Sequence, residues 1–384
     1  VSEGVSLRNE LQKAIEAEDF ELYYQPQIDG RSGRVVGLEA LLRWQHPQQG
    51  FISPAVFIPV AEDTGQIIPL SLWVLDTACR QIRQLSEQGM TGPSVAVNIS
   101  PVQFQRSNFV ECVQSVLQKY DLSAGLLELE ITETVLLNNA DRAIETLHKL
   151  KALGVRIAID DFGTGFSSLN YLKRLPIDKV KIDRSFVQEI ISDRHDAAIT
   201  QGIISMAHHL RLKVIADGVE TEPQFAFLKK SHCDEFQGYY FAKPMPFSEV
   251  EEYLRQRMLV HEPTTNSTAE DQIQTVLLLD DEENILRALA RVLRRDGYKI
   301  LMATRAQDAF ELLAKHDVQV ILSDQRMPEM NGTEFLSRVK DLYPDTIRIV
   351  LSGYTDLKSV TDAINKGAIY KFLTKPWDDD QLRQ

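Results

Sequence analysis

Cysteine is scarce in this chain: Cys79, Cys112 and Cys233 are all that 384 residues contain. They are scattered and odd in number. That excludes a disulfide framework and gives no zinc-ligand spacing, so a reducing, cytoplasmic setting is expected. Apolar runs approaching the ~20 residues needed to span a bilayer are absent, and no signal peptide opens the sequence. Positive charge is in deficit: the formal net charge of −13 argues against direct nucleic-acid binding. An acidic protein that handles a phosphate ester needs metal ions or local cations to receive it. There is no Gly-x-Ser-x-Gly elbow for serine hydrolysis, no internal repeat and no low-complexity block. Val1 and the closing residues 380–384, which read as a helix just beginning, are taken as cut ends.

What is present is ordinary for a globular protein, with 43% hydrophobic and 25% charged residues. Single cores stop growing near roughly 250 residues, so a large domain plus a small one is expected. Residues 261–271 lack large apolar side chains and are rich in Pro, Thr, Ser and acids, which marks a linker. The expected division is 1–258, a linker over 259–272, and 273–384.

Before the linker, short apolar or β-branched runs at 22–28, 35–41, 95–99, 127–131, 156–159, 180–182, 213–216 and 235–241 alternate with helix-like stretches such as 72–85, 141–153, 196–210 and 224–230. Strand then helix, repeated, predicts an α/β fold, a modified (β/α)8 TIM-type barrel. The six residues between the first two runs are too few for a helix, so those strands should pair antiparallel. After the linker, strands at 276–279, 299–303, 318–323, 347–351 and 368–373 alternate with helices at 283–295, 306–315, 332–343 and 356–366. That pattern predicts a flavodoxin-like doubly wound sheet.

Barrel sites are built at the C-terminal ends of strands. Here those ends carry Glu39, Asn98, Glu130, Asp160-Asp161, Lys181 with Asp183, Asp217 and Gln237. Any one acid after a strand can simply cap the next helix. Five or more on one rim repel strongly unless divalent cations neutralise them. All-oxygen donors favour Mg²⁺ or Mn²⁺ over zinc, and adjacent aspartates suit a two-metal site for in-line phosphoryl displacement. Lys181 on the neighbouring strand can steady the nucleophile and the developing charge. Chemistry alone therefore suggests a metal-dependent phosphoester hydrolase.

These residues also carry a family resemblance. Glu39-Ala40-Leu41-Leu42-Arg43-Trp44 resembles the signature of EAL-domain cyclic di-GMP phosphodiesterases. Tyr24-Gln25-Pro26, Val97-Asn98-Ile99-Ser100, Glu130-Ile131-Thr132-Glu133, Asp160-Asp161-Phe162-Gly163-Thr164-Gly165, Lys179-Val180-Lys181-Ile182-Asp183 and Gln237-Gly238-Tyr239 follow in the family's order over roughly 7–257. The resemblance implies hydrolysis of cyclic di-GMP to linear pGpG with two Mg²⁺ or Mn²⁺ ions. It implies Glu39, Asn98, Glu130, Asp160 and Asp161 as metal ligands and Lys181 as the group orienting the attacking water, with Asp217, Glu133 and Gln237 also catalytic. Gln25, Leu41, Arg43 and Asp183 are implied at the substrate, and Glu133 with the loop 162–169 would couple substrate, metal and dimer contact. The glycines at 163 and 165 suit a loop that turns sharply and moves. One departure stands out: Ala216-Asp217-Gly218-Val219-Glu220 has Asp where the family usually has Glu, one methylene shorter. That substitution motivates an alternative, a catalytically weak or inactive cyclic di-GMP receptor.

The second part resembles the receiver domains of two-component response regulators. Asp280-Asp281 follow its first strand, Asp324 ends the third, Ser352 ends the fourth, and Lys375 precedes Pro376. The resemblance implies Asp324 as phosphoacceptor and one Mg²⁺ held by Asp280, Asp281, Asp324 and the Arg326 carbonyl. Ser352, Lys375 and Tyr370 would be the switch residues. A cognate sensor histidine kinase, a homodimer and control of the barrel by phosphorylation are expected to follow. His46 reads as a turn residue, His208-His209 face apart on a helix, and Trp73 and Trp377 read as packing.

Overall fold

The computed structural model describes residues 2–162, 169–260, 273–353, 362–364, 366–375, 377 and 379–383. The loop residues 163–168, the linker 261–272, most of the helix expected at 356–366, and Pro376 lie outside the described residues. The chain folds into two compact units.

The first unit carries β1 (Phe20–Asp29), β2 (Val35–His46), β3 (Gly50–Ile52), β4 (Ser94–Asn98), β5 (Leu127–Thr132), β6 (Arg156–Phe162), β7 (Lys179–Ile182), β8 (Lys213–Ala216), β9 (Glu235–Phe236) and β10 (Met245–Pro246). β1-β9-β8-β7-β6-β5-β4-β2 close on themselves through the β1–β2 pairing, which makes an eight-stranded TIM-type barrel with β3 and β10 as flaps. β1 runs antiparallel to both barrel neighbours, while the pairs from β2 round to β9 are parallel. The reversal follows from a short turn. Asp29 accepts from Ser32 N (2.9 Å) and Ser32 Oγ (2.7 Å), and Gly33 sits at φ 69, leaving no length for a crossover helix.

All eight expected strands are present, but the last stops at Phe236 instead of running to 241. At Gly238 the chain passes so near Val219 that a Cβ would meet its carbonyl oxygen at 2.1 Å, and Tyr240 N then donates to that oxygen. The structure adds helices Ser2–Ala17, Pro54–Thr64, Phe109–Lys119 and Phe247–Val260 to those expected. Leu11, Ala14, Phe57 and Ala61 from the first two bury Phe20 and Trp44, with Trp73 packed on the rim of that cluster. Helix Ala140–Leu153 ends where Gly154 takes a left-handed conformation, φ 96.

In the second unit β11 (Thr275–Leu279), β12 (Lys299–Ala303), β13 (Val320–Asp324), β14 (Ile347–Ser352) and β15 (Lys371–Thr374) form a parallel sheet in the order β12-β11-β13-β14-β15. This is the flavodoxin-like doubly wound arrangement. β13 and β15 begin two and three residues later than expected. Helices Glu283–Arg294, Ala306–Lys315 and Gly332–Leu342 match their expected spans to within a residue. Leu278, Leu289, Leu322 and Leu351 make the core on one sheet face, and Trp377 packs against it. Among the described residues, no helix is long and apolar enough to cross a membrane.

Candidate active site

Strand side chains alternate, so residues two apart share a face. In this barrel the shared inner face is polar on several strands: Gln25 and Gln27 on β1, Glu128 and Glu130 on β5, Lys179 and Lys181 on β7, Glu235 and Gln237 at β9. All are buried. They form two tiers. In the lower, Lys179 Nζ pairs with Glu128 Oε1 (3.1 Å) and Glu235 Oε1 (2.7 Å). In the upper, at the mouth, Lys181 Nζ pairs with Glu39 Oε1 (2.7 Å) and Glu130 Oε2 (3.3 Å). Asn98 Nδ2 donates to Glu39 Oε2 (3.2 Å) and Gln237 Nε2 to Glu39 Oε1 (2.9 Å).

The electrostatics follow from one ammonium serving several acids. Burial opposes the charge on Lys181, yet Glu130, Glu39 and Asp217 around it hold its pKa well above the usual lysine value. Burial also opposes ionisation of Glu39, but Lys181, Gln237 and Asn98 more than compensate and its carboxyl is pulled down. Glu130 goes the other way: burial, then the neighbouring Glu39 charge, push it well up despite Lys181. The distances agree, because the ammonium sits closer to Glu39. Burial likewise raises Asp160 and Asp217, in each case against the pull of Lys181.

Two adjacent aspartates on a regular strand would point to opposite faces. β6 breaks its register between Ile159 and Phe162, and Asp161 takes φ 54, a conformation rare for a non-glycine residue. Asp161 N donates to Asp160 Oδ1 (2.8 Å). Burial, Asp160 and then Asp183 lift the Asp161 carboxyl to about 7. The remaining expected residues spread around this centre. Asp183 caps the turn Arg184–Val187 by accepting from Ser185 N (3.2 Å). Asp217 Oδ1 accepts from Gly218 N (2.8 Å). Glu133 is buried on the turn after β5, and Leu41 follows Glu39 along β2. Arg43 lies over the Tyr23 ring, 5.4 Å from its centre. Gln25 accepts from Gln237 (2.9 Å) and donates to Ala242 O (3.1 Å).

In the second unit Asp280, Asp281 and Asp324 offer carboxylate oxygens all within 4.8 Å of one another. Among the described residues, this is the one trio of acids so gathered; in the barrel, Glu39 and Glu130 each face the Lys181 ammonium instead. Both donor sets are all-oxygen and suit a hard divalent cation. The barrel has more buried carboxylates than one ammonium neutralises, hence the raised acids, and that imbalance is what a cation would correct. In the trio, Lys375 Nζ lies 2.8 Å from Asp324 Oδ1 and 3.2 Å from Asp280 Oδ2. Burial raises both aspartates and Lys375 offsets it in part. Ser352 is buried with its Oγ donating to Gly353 O, whereas Tyr370 is 69% exposed. Arg326 is exposed just after Asp324.

The residues set aside behave accordingly. His46 Nδ1 accepts from Gln48 N and Gln49 N, a turn role, and His208 and His209 take separate partners, Asp234 and Ser205 O. Sequence reading missed Gln27 and the lower ion tier. The usable signal was the two-residue spacing to Gln25, Glu130, Lys181 and Gln237.

The fold and these two centres define a class: a TIM-type barrel with a carboxylate- and amide-lined mouth around one lysine, joined in one chain to a receiver-like α/β module with an aspartate trio. The chain belongs to the EAL domain family, whose model matches residues 8–244, and residues 276–384 match the response regulator receiver domain. It is 44% identical over 248 residues to the bifunctional diguanylate cyclase/cyclic di-GMP phosphodiesterase MucR of Pseudomonas aeruginosa, covering 65% of this chain and 36% of that protein. It is 46% identical over 254 residues to the cyclic di-GMP phosphodiesterase NbdA of the same organism, covering 66% and 32%. The chain thus spans about a third of the length of these curated relatives. A solved PaMucR phosphodiesterase in complex with c-di-GMP superposes with a TM-score of 0.62 at 44% identity, covering 64% of this chain and 99% of that one.

Proposed function

We propose that the barrel hydrolyses cyclic di-GMP to linear pGpG. The observation that carries this reading is the buried Lys181 ammonium between Glu39 and Glu130 at the mouth of a family barrel. Glu39, Asn98, Glu130, Asp160 and Asp161 would hold two Mg²⁺ or Mn²⁺ ions, which when bound supply Lewis acidity to the scissile phosphate. Lys181 keeps Glu39 ionised and places a positive charge where negative charge develops. Gln25, Leu41, Arg43 and Asp183 bind and orient the dinucleotide, Gln237 fixes Glu39 by hydrogen bonding, and Asp217 and Glu133 complete the catalytic set. Residues 1–258 form the enzyme, 259–272 the linker and 273–384 a receiver, phosphorylated on Asp324 by a cognate histidine kinase and controlling a cytoplasmic homodimer. The direct test follows pGpG formation from cyclic di-GMP with Mg²⁺ or Mn²⁺. Product that vanishes with chelator and with Glu39→Ala supports the enzyme; no product under any condition overturns it. Asp217 favours a second reading, a cyclic di-GMP receptor with little turnover, which tight binding without product would support.

A further inference from the structure

Gln27 lies one tier below Gln25 on β1, opposite Gly37 on β2, and is 1% exposed. Its Nε2 donates to Gln237 Oε1 at 3.1 Å, while Gln237 Nε2 donates to both Glu39 Oε1 and Gln25 Oε1 at 2.9 Å. The two ends of a glutamine amide are alike in size, so packing alone does not choose between them. Chemistry does. An ionised carboxylate only accepts, so Glu39 demands the NH₂ end of Gln237. The Gln237 oxygen then faces down into the barrel, where it requires a donor, and Gln27 is the side chain that supplies one. Gln27 in turn leaves its own oxygen without a hydrogen-bond partner. A Cβ at Gly37 would stand 2.4 Å from that oxygen, so glycine there leaves the room this orientation needs.

We infer that Gln27 is a positioning residue, which fixes the orientation of the Gln237 amide and through it the pose of Glu39 for cation binding. The inference rests on the functional reading above in taking Glu39 as a metal ligand. Two nearly isosteric variants separate orientation from volume. Gln27→Met removes the donor. Gln27→Glu opposes an acceptor to the Gln237 oxygen and drives the amide to turn over, taking the donor from Glu39.

The test uses the full chain carrying Asp281→Asn and Asp324→Asn, so that Mn²⁺ titration reports the barrel alone, alongside kcat and KM for cyclic di-GMP. Partners that orient a metal ligand are typically worth about 10–100-fold in metal affinity or activity. Loss of Mn²⁺ affinity and of kcat in that range is expected for Gln27→Glu, with a smaller loss for Gln27→Met. Should the Glu variant fail to fold, the Met variant decides. Unchanged Mn²⁺ affinity and kcat in Gln27→Met, with or without a lower melting temperature, reduces Gln27 to packing and overturns the inference. Absence of hydrolysis by the parent chain would sink the phosphodiesterase reading, and the Mn²⁺ affinities would still decide this one.

Discussion

Lys181 holds two buried carboxylates in place, and at 1% exposure it has no water to replace them. Removing one member of a buried ionic group leaves uncompensated charge, which costs about 3–5 kcal/mol. Lys181→Met is therefore expected to lower stability by about that amount in chelator, with saturating Mn²⁺ restoring part of it, as read by urea unfolding. Equal stability of the two proteins in chelator would mean that Glu39 is not held ionised by the lysine. Asp217 poses the opposite problem, one of reach. It lies on the same rim and is tied to its own neighbour, Gly218 N. A misplacement near 1 Å can cost ~100-fold in rate, so Asp217→Glu is expected to raise kcat by about tenfold or more, with KM little changed. Turnover that stays level, or falls, would show that the chain is already fitted to the shorter acid.

At the scale of strands, the two-residue period explains both what could be read and what could not. The eight barrel strands and five receiver strands were legible because each is a short apolar or β-branched run bounded by turn residues. β3 and β10, of 3 and 2 residues, are too short to show any period. Helices Ser2–Ala17 and Pro54–Thr64 show weak patterning in sequence and acquire their partners, Phe20 and Trp44, from β1 and β2. Within the site, the carboxylates at strand ends were visible as residue types. The bulge that carries Asp160-Asp161 was not, since nothing in the letters sets Asp161 at φ 54. The lower ion tier was missed because Lys179, Glu128 and Glu235 lie near strand starts, away from the C-terminal strand ends at which a barrel site is sought. That tier makes a contrast with the upper one. Lys179→Met should also destabilise by about 3–5 kcal/mol, and Lys179→Met with Glu128→Gln and Glu235→Gln should recover much of it. Mn²⁺ should give no recovery in the single variant, because the sealed lower tier is not a cation site. Recovery by Mn²⁺ to the extent seen for Lys181→Met would contradict the separation of the two tiers.

For the molecule as a whole, the control proposed for the barrel would begin at the receiver trio. Lys375 already bridges Asp324 and Asp280, and Asp281 stands exposed beside them. Phosphorylation of Asp324 replaces one carboxylate charge by a phosphoryl group of about two, a net gain of about one negative charge beside the Asp280 and Asp281 carboxylates in a pocket that contains one ammonium, so a divalent cation held by the trio would carry the rest. Labelling by a small phosphodonor such as acetyl phosphate is thus expected to need Mg²⁺, to reach one phosphoryl per chain, and to vanish in Asp324→Asn. The new charge would draw Lys375 and the Ser352 hydroxyl toward it, changing the face on which Tyr370 now stands exposed. If that face governs the barrel, kcat for cyclic di-GMP measured before and after stoichiometric labelling will differ several-fold in the parent chain and not at all in Asp324→Asn. Tyr370→Ala should then uncouple the two, leaving labelling intact and turnover indifferent to it. Full labelling of Asp324 with unchanged kcat, KM and oligomeric state would separate the receiver from the barrel's chemistry altogether.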